Sequence, residues 1–110
     1  MTQVYTETTT PLTGNAVFTG PGRDSGAGAG ALARDSKFNA YAFANVAGTL
    51  KIEASNDGTT WYRAIADQAV GAGAAVIASI PVIARLHRAV FTNGAGAQAT
   101  FVLNTSYTAA

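Results

Sequence analysis

Gly48-Thr-Leu-Lys-Ile-Glu-Ala-Ser-Asn-Asp-Gly-Thr-Thr-Trp61 is the stretch on which the fold turns. Leu50, Ile52 and Ala54 alternate with Thr49, Lys51 and Glu53, so one side of an extended segment is apolar and the other polar, the signature of a half-buried strand. Asn56-Asp57-Gly58 follows at once. Asp-Gly tolerates the positive φ angles of tight hairpin turns, so the strand ending near Ser55 is expected to reverse into one beginning at Thr60. The returning strand would carry Trp61, Arg63 and Ile65 on one face and Tyr62 and Ala64 on the other. Trp61, the largest apolar residue directly after the turn, is expected to plug one end of the core, burying on the order of 150–250 Å². The other reading of Trp61 is a sugar-stacking platform shared with Tyr62.

Outward from this hairpin the same period recurs. Phe38, Ala40 and Ala42 fall on one face of a strand and Tyr41 and Phe43 on the other. Ala69–Ala84 has Ser79 as its single polar residue, but at 16 residues it is shorter than the roughly 20 a membrane helix needs, and Gly71, Gly73 and Pro81 interrupt it. It reads as a glycine loop followed by a buried strand over Ala74–Ile80. Leu86–Thr92 is a strand, Asn93-Gly-Ala-Gly96 a turn and Thr100–Asn104 a final strand. Six or seven short strands with turn signals every eight to twelve residues predict an all-β chain, a single antiparallel β-sandwich of jelly-roll type, with little helix. Leu50, Ile52, Trp61, Ile65, Val90, Phe101 and Leu103 are the expected core.

The 110 residues suffice for one domain. The lead segment is different in character. Residues 1–15 hold six threonines and Pro11 without periodicity, Ala16–Thr19 is a short strand ended by Gly20-Pro-Gly22, and residues 23–35 are almost wholly Gly, Ala and charged side chains. Residues 1–36 are therefore expected to form an extended N-terminal arm and Gly/Ala-rich loop that contacts other molecules, with 37–110 as the sandwich domain. No signal peptide is visible at the N-terminus. The apolar share of 48% includes 24 alanines, and only 12% of residues are charged, about half the usual share. So few charges suit a chain whose surface is partly covered by partners, and a homo-oligomer is expected.

The chemistry of sites is sparse. His87 is the one histidine and there is no cysteine, so neither a histidine cage nor a thiolate site can form. The six carboxylates are scattered, and no two candidate catalytic groups are neighbours, so no catalytic residue, metal, cofactor or enzymatic activity is expected. His87, between Leu86 and Arg88 in a strand, is read as structural. Gly28-Ala-Gly30-Ala-Leu-Ala33 and Gly94-Ala-Gly96-Ala-Gln-Ala99 match a dinucleotide fingerprint in spacing only, since neither lies between a buried strand and a helix. Residues 53–58 resemble the start of a calcium loop, but its twelfth position would be Ala64 in place of the chelating Glu. The seven basic residues form no stripe, which excludes nucleic acid as a partner, and no membrane partner is expected.

Gly48–Trp61, then Ala84-Arg-Leu-His-Arg-Ala-Val-Phe-Thr-Asn-Gly94 and Ala97-Gln-Ala-Thr-Phe-Val-Leu-Asn-Thr105, resembles small β-sandwich virion structural proteins of tailed bacteriophages over residues 37–107. The resemblance implies a non-enzymatic virion protein, foremost a capsid decoration or cement protein made in the host cytoplasm, whose partners are the major capsid protein or other virion proteins and copies of itself, most often as a trimer. A tail or baseplate structural protein is the alternative. Ser55-x-Asp57-Gly58-x-x-Trp61 with Arg85-x-x-Arg88 is also similar to discoidin-like carbohydrate-binding modules, although glycan is not the expected ligand. In those modules the same hairpin and strand are structural; here the Asn56-Asp57-Gly58 turn and Trp61 are read as structural, and Arg85 and Arg88 as the candidate assembly contacts.

Overall fold

The computed structural model describes residues 3–24 and 36–109. Ten strands follow in order: β1 Gln3–Thr8, β2 Val17–Thr19, β3 Arg23–Asp24, β4 Ser36–Ala44, β5 Gly48–Ser55, β6 Tyr62–Arg63, β7 Gln68–Val70, β8 Val76–Pro81, β9 Leu86–Asn93 and β10 Phe101–Ala109. They form two antiparallel sheets packed face to face, and no described residue is helical. One sheet runs β1-β10-β4-β8; the other is centred on β9 and β5, with β2 and β3 along the free side of β9 and β6 and β7 along that of β5. The expected sandwich is therefore what forms.

Alternation explains the core. In β4 the inward residues Phe38, Ala40, Ala42 and Ala44 are fully buried, as are Leu50 and Ile52 of β5, Phe91 of β9 and Leu103 of β10, with Phe101 nearly so. The small alanines of β4 leave the space between sheets that large rings from other strands fill, and Phe91 and Phe101 meet with centroids 4.8 Å apart. Gly48 is needed for the same reason, because a Cβ there would lie 2.5 Å from the Phe91 ring.

Asn56-Asp57-Gly58 forms the expected reversal, with Glu53 opposite Arg63 and Ala54 opposite Tyr62. Gly58 has φ of 79°. Ser55 Oγ accepts the Gly58 N–H, and Asp57 Oδ1 accepts the Thr59 and Thr60 N–H groups at 2.8 Å each. Those bonds favour the ionised carboxylate and lower the Asp57 pKa to about 2. A Gly58 Cβ would meet Leu86 only at ordinary contact distance, so the cost of Gly58→Val comes from the left-handed backbone, about 1–2 kcal/mol. Asp57→Asn keeps an Oδ1 acceptor and should cost much less; equal losses in urea melts of the two variants would contradict this turn.

Four expectations are corrected. Trp61 and Ile65 are only half-buried; Trp61 lies in the connection before β6, outside the core, and Ile65 packs against the core from its rim. β8 is an edge strand with Ile77 71% exposed, since its apolar residues lie on both faces and only Val76, Ala78 and Ile80 point inward. β10 continues to Ala109, beyond the expected end at Asn104. Finally, the described part of the lead segment is extended but belongs to the sandwich: β1 pairs with β10, and β2 and β3 pair with β9. The remainder of the expected Gly/Ala loop, residues 25–35, lies outside the described residues.

Candidate functional site

The outward faces of the two sheets differ in chemistry. On the β9-β5 sheet the outward face carries Lys51, Glu53, Arg63 and Arg88, which engage in ion pairs, beside Thr49, Val90, Thr92 and the 55% exposed Val17. Arg88 donates to Glu53 through Nε at 2.8 Å, and its guanidinium lies 4.1 Å over the Trp61 ring. Trp61 rests against the backbone of Gly22, where an added Cβ would come within 2.9 Å of the ring. The large indole is thus a surface clasp between the hairpin and the lead segment, held by a cation–π contact and apolar area. Lys51 and Arg63 both approach Asp67. Arg85 is half exposed, with Nε 3.7 Å from Asp24 and its N–H donated to Asn56 Oδ1. Of the two arginines read as assembly contacts, Arg88 is committed within the chain and Arg85 presents more surface.

The outward face of the β1-β10-β4-β8 sheet is uncharged apart from Lys37. The register sets Val4, Ser106, Asn39 and Ser79 in one row across it and Thr6, Asn104, Tyr41 and Ile77 in the next. Asn39 Nδ2 donates to Ser106 and Thr108, which fixes the polar row. Val4 is 60% exposed, and a shallow depression of about 230 Å³ runs between Val4, Tyr41 and Ile77. Exposed large aliphatic side chains at both edges of a sheet carrying one charge give a surface suited to burial against protein.

Between the sheets a polar chain crosses the end of the core. Glu7 is the extra residue of a bulge in β1, opposite the Asn104–Leu103 step of β10, and the bulge turns its carboxylate inward to 0% exposure. There it accepts from Arg23 and from Thr105 Oγ1. Arg23 also stacks 3.9 Å over the Tyr5 ring. The Arg23 carbonyl accepts from Tyr107 Oη at 2.5 Å, and Tyr107 Oη lies 3.1 Å from His87 Nδ1. His87 Nε2 accepts the Ile83 N–H, which assigns the proton of the neutral ring to Nδ1. Burial lowers the His87 pKa to about 4, consistent with that neutral form, and the ring stacks on Phe38 at 5.2 Å. His87 is thus buried and structural, although the choice of Val90 as a core residue of the same strand would have turned position 87 outward. Glu7 and Tyr107 carried no signal in the alternation, because each is a polar group pointing inward.

Among the described residues no group of three or more acidic or histidine side chains is placed to hold a metal. A cleft of about 330 Å³ opens at the hairpin end, between Asn56, Asp57, Thr60, Tyr62, Arg63 and the Ile83–Ala84 loop. Tyr62, on its rim, is 69% exposed.

A family model described as "Uncharacterised protein YqxG N-terminal domain" matches residues 1–108. The chain belongs to the YqxG N-terminal domain family. Its match begins at residue 1, in keeping with a lead segment that forms strands of the domain. No curated protein matches the chain in sequence. Among solved structures, this YqxG-type domain is similar to "PBSX exported protein XepA", with a TM-score of 0.84 and 28% identity over 98% of the chain. It spans 37% of that protein's length. It also shares its fold with a protein from "Bacillus endospore appendages", at a TM-score of 0.58 and 10% identity, covering 99% of this chain and 87% of that one.

Proposed function

We propose that this chain is a non-catalytic, phage-associated structural protein that binds copies of itself and other particle proteins through the outward face of the β1-β10-β4-β8 sheet. The observation that carries the reading is that face, with Val4 and Ile77 exposed and a single lysine as its charge. The similarity to the PBSX exported protein XepA, a phage-related protein, and the resemblance of residues 37–107 to virion proteins support the phage association. Within this class, decoration of the capsid shell as a closed homo-oligomer is the role put forward, with three the expected number of copies. A second reading, action outside the particle, is favoured by the word "exported" in the description of XepA.

Ile77→Lys tests the surface. The side chain points outward from an edge strand, so the charge should leave the fold intact and the melting temperature within a few degrees. The same charge buried in a contact between copies is expected to weaken association at least tenfold, read as a shift from oligomer to monomer in sedimentation velocity. A wild-type chain that sediments as a monomer at high concentration, or an Ile77→Lys variant that assembles as wild type, refutes the proposed surface.

A further inference from the structure

We propose that the cleft between the Ser55–Thr60 turn, β6 and the Ile83–Ala84 loop is a saccharide-binding site with Tyr62 as its stacking face. The inference goes beyond the structural role and does not depend on it.

Tyr62 sits opposite Ala54, on the inward side of its sheet, but at the open end of the sandwich no strand among the described residues covers it and it is 69% exposed. An exposed aromatic ring beside a cleft offers an electron-rich face to the weakly positive C–H groups of a pyranose ring. Ile83, 60% exposed, extends the apolar wall.

The polar groups around this wall are of both kinds and are held in place. Asp57 is fixed by three donors to Oδ1, the Ser55 hydroxyl and the Thr59 and Thr60 N–H groups, so its second oxygen is a positioned acceptor. Asn56 uses Oδ1 on the Arg85 N–H, and its Nδ2 is the donor it can offer. The Thr60 hydroxyl adds to the lining, and Arg63 borders it from the next position of β6 while its guanidinium pairs with Asp67. Rigid donors and acceptors at the edge of an apolar platform match vicinal hydroxyls, each of which donates and accepts. A carboxylate held ionised in the turn disfavours phosphate and other anions. The volume of about 330 Å³ lies at the lower end of the roughly 300–1,000 Å³ typical of ligand sites, which suits one or two sugar units. Trp61 is excluded as the platform because Arg88 and Gly22 cover it.

The test is a nuclear magnetic resonance titration of the full chain with maltose, cellobiose and N,N′-diacetylchitobiose, using inorganic phosphate as an anionic control. At least one disaccharide is expected to shift the amides of Asn56, Thr60, Tyr62, Arg63 and Ala84, with a dissociation constant of about 1 mM. Tyr62→Ala should weaken that binding at least tenfold without changing the melting temperature, and Tyr62→Phe should retain most of it. No shift at these amides with any of the three sugars at about 50 mM overturns the proposal. Equal shifts with phosphate, or shifts unchanged in Tyr62→Ala, overturn it as well. If Tyr62→Ala dissociates the assembly while no sugar binds, the cleft is a contact between copies and the proposal is wrong.

Discussion

Arg23→Leu should lower the stability of the domain by about 3 kcal/mol, one of the two largest effects expected of any single polar change in this chain. Glu7 is fully buried at its bulge, and Arg23 is its only cationic partner among the described residues. Among the described residues, removing Arg23 leaves the carboxylate with the Thr105 hydroxyl, and an uncompensated buried charge costs more than a salt bridge at the surface gains. The lower end of the usual 3–5 kcal/mol range applies because Arg23 itself is partly exposed. In a domain of this size the loss corresponds to a fall in melting temperature of roughly 10–20 °C, readable by circular dichroism. A change below about 1 kcal/mol would show that β1 and β3 are not docked as described. Deleting residues 1–9 should act in the same direction and more strongly, since it unpairs one side of β10 and removes Tyr5 and Glu7 together.

Acidification from pH 7 to pH 4 should cost roughly 3 kcal/mol through His87. Its pKa in the folded chain is about 4, below the ordinary 6.5, so between these values the unfolded chain binds a proton that the folded one excludes. The stability is fully present above pH 6.5 and declines as the pH falls toward 4. About 2.5 pH units at about 1.4 kcal/mol each sets the size. Protonation at Nε2 would also remove the acceptor of the Ile83 N–H. Asp57 contributes in a separate window, present above its ordinary pKa of 3.8 and lost as the pH falls through about 2. Urea denaturation at pH 7, 5.5 and 4.5 should therefore show a loss in wild type that His87→Phe flattens. Parallel pH dependence in the two proteins would mean that His87 is not the responsible group.

What the sequence disclosed depended on which side chains point inward. β4 and β5 were legible because their inward positions are apolar and their outward ones polar or aromatic, so period two survives in the text; in β9 the inward side mixes His87 and Asn93 with Ala89 and Phe91, and Val90, itself buried, lies on the outward side opposite Lys51. β1 and the second half of β10 were not, since Glu7, Thr105 and Tyr107 face inward and break the alternation. Their partners lie 16 to 98 positions away, a pairing that only the fold supplies. The run Ala74–Ile80 misled in the opposite sense, because apolar residues on both faces read as a buried strand when one face is open. Trp61 misled by size: its apolar area is covered by Arg88 and the lead segment, outside the core. At the candidate surfaces, the turn at Asn56-Asp57-Gly58 and its positive φ were readable in advance. The sheet face with Lys37 as its single charge was not, since it gathers residues from four strands spread over the whole chain.

Imaging of the native particle by electron cryomicroscopy tests the central claim most directly. Many copies of this domain are expected in a symmetric array, each with the face bearing Val4, Tyr41 and Ile77 buried against a neighbouring copy or another particle protein. Particles that lack the chain, or that carry it with this face open to solvent, would contradict it.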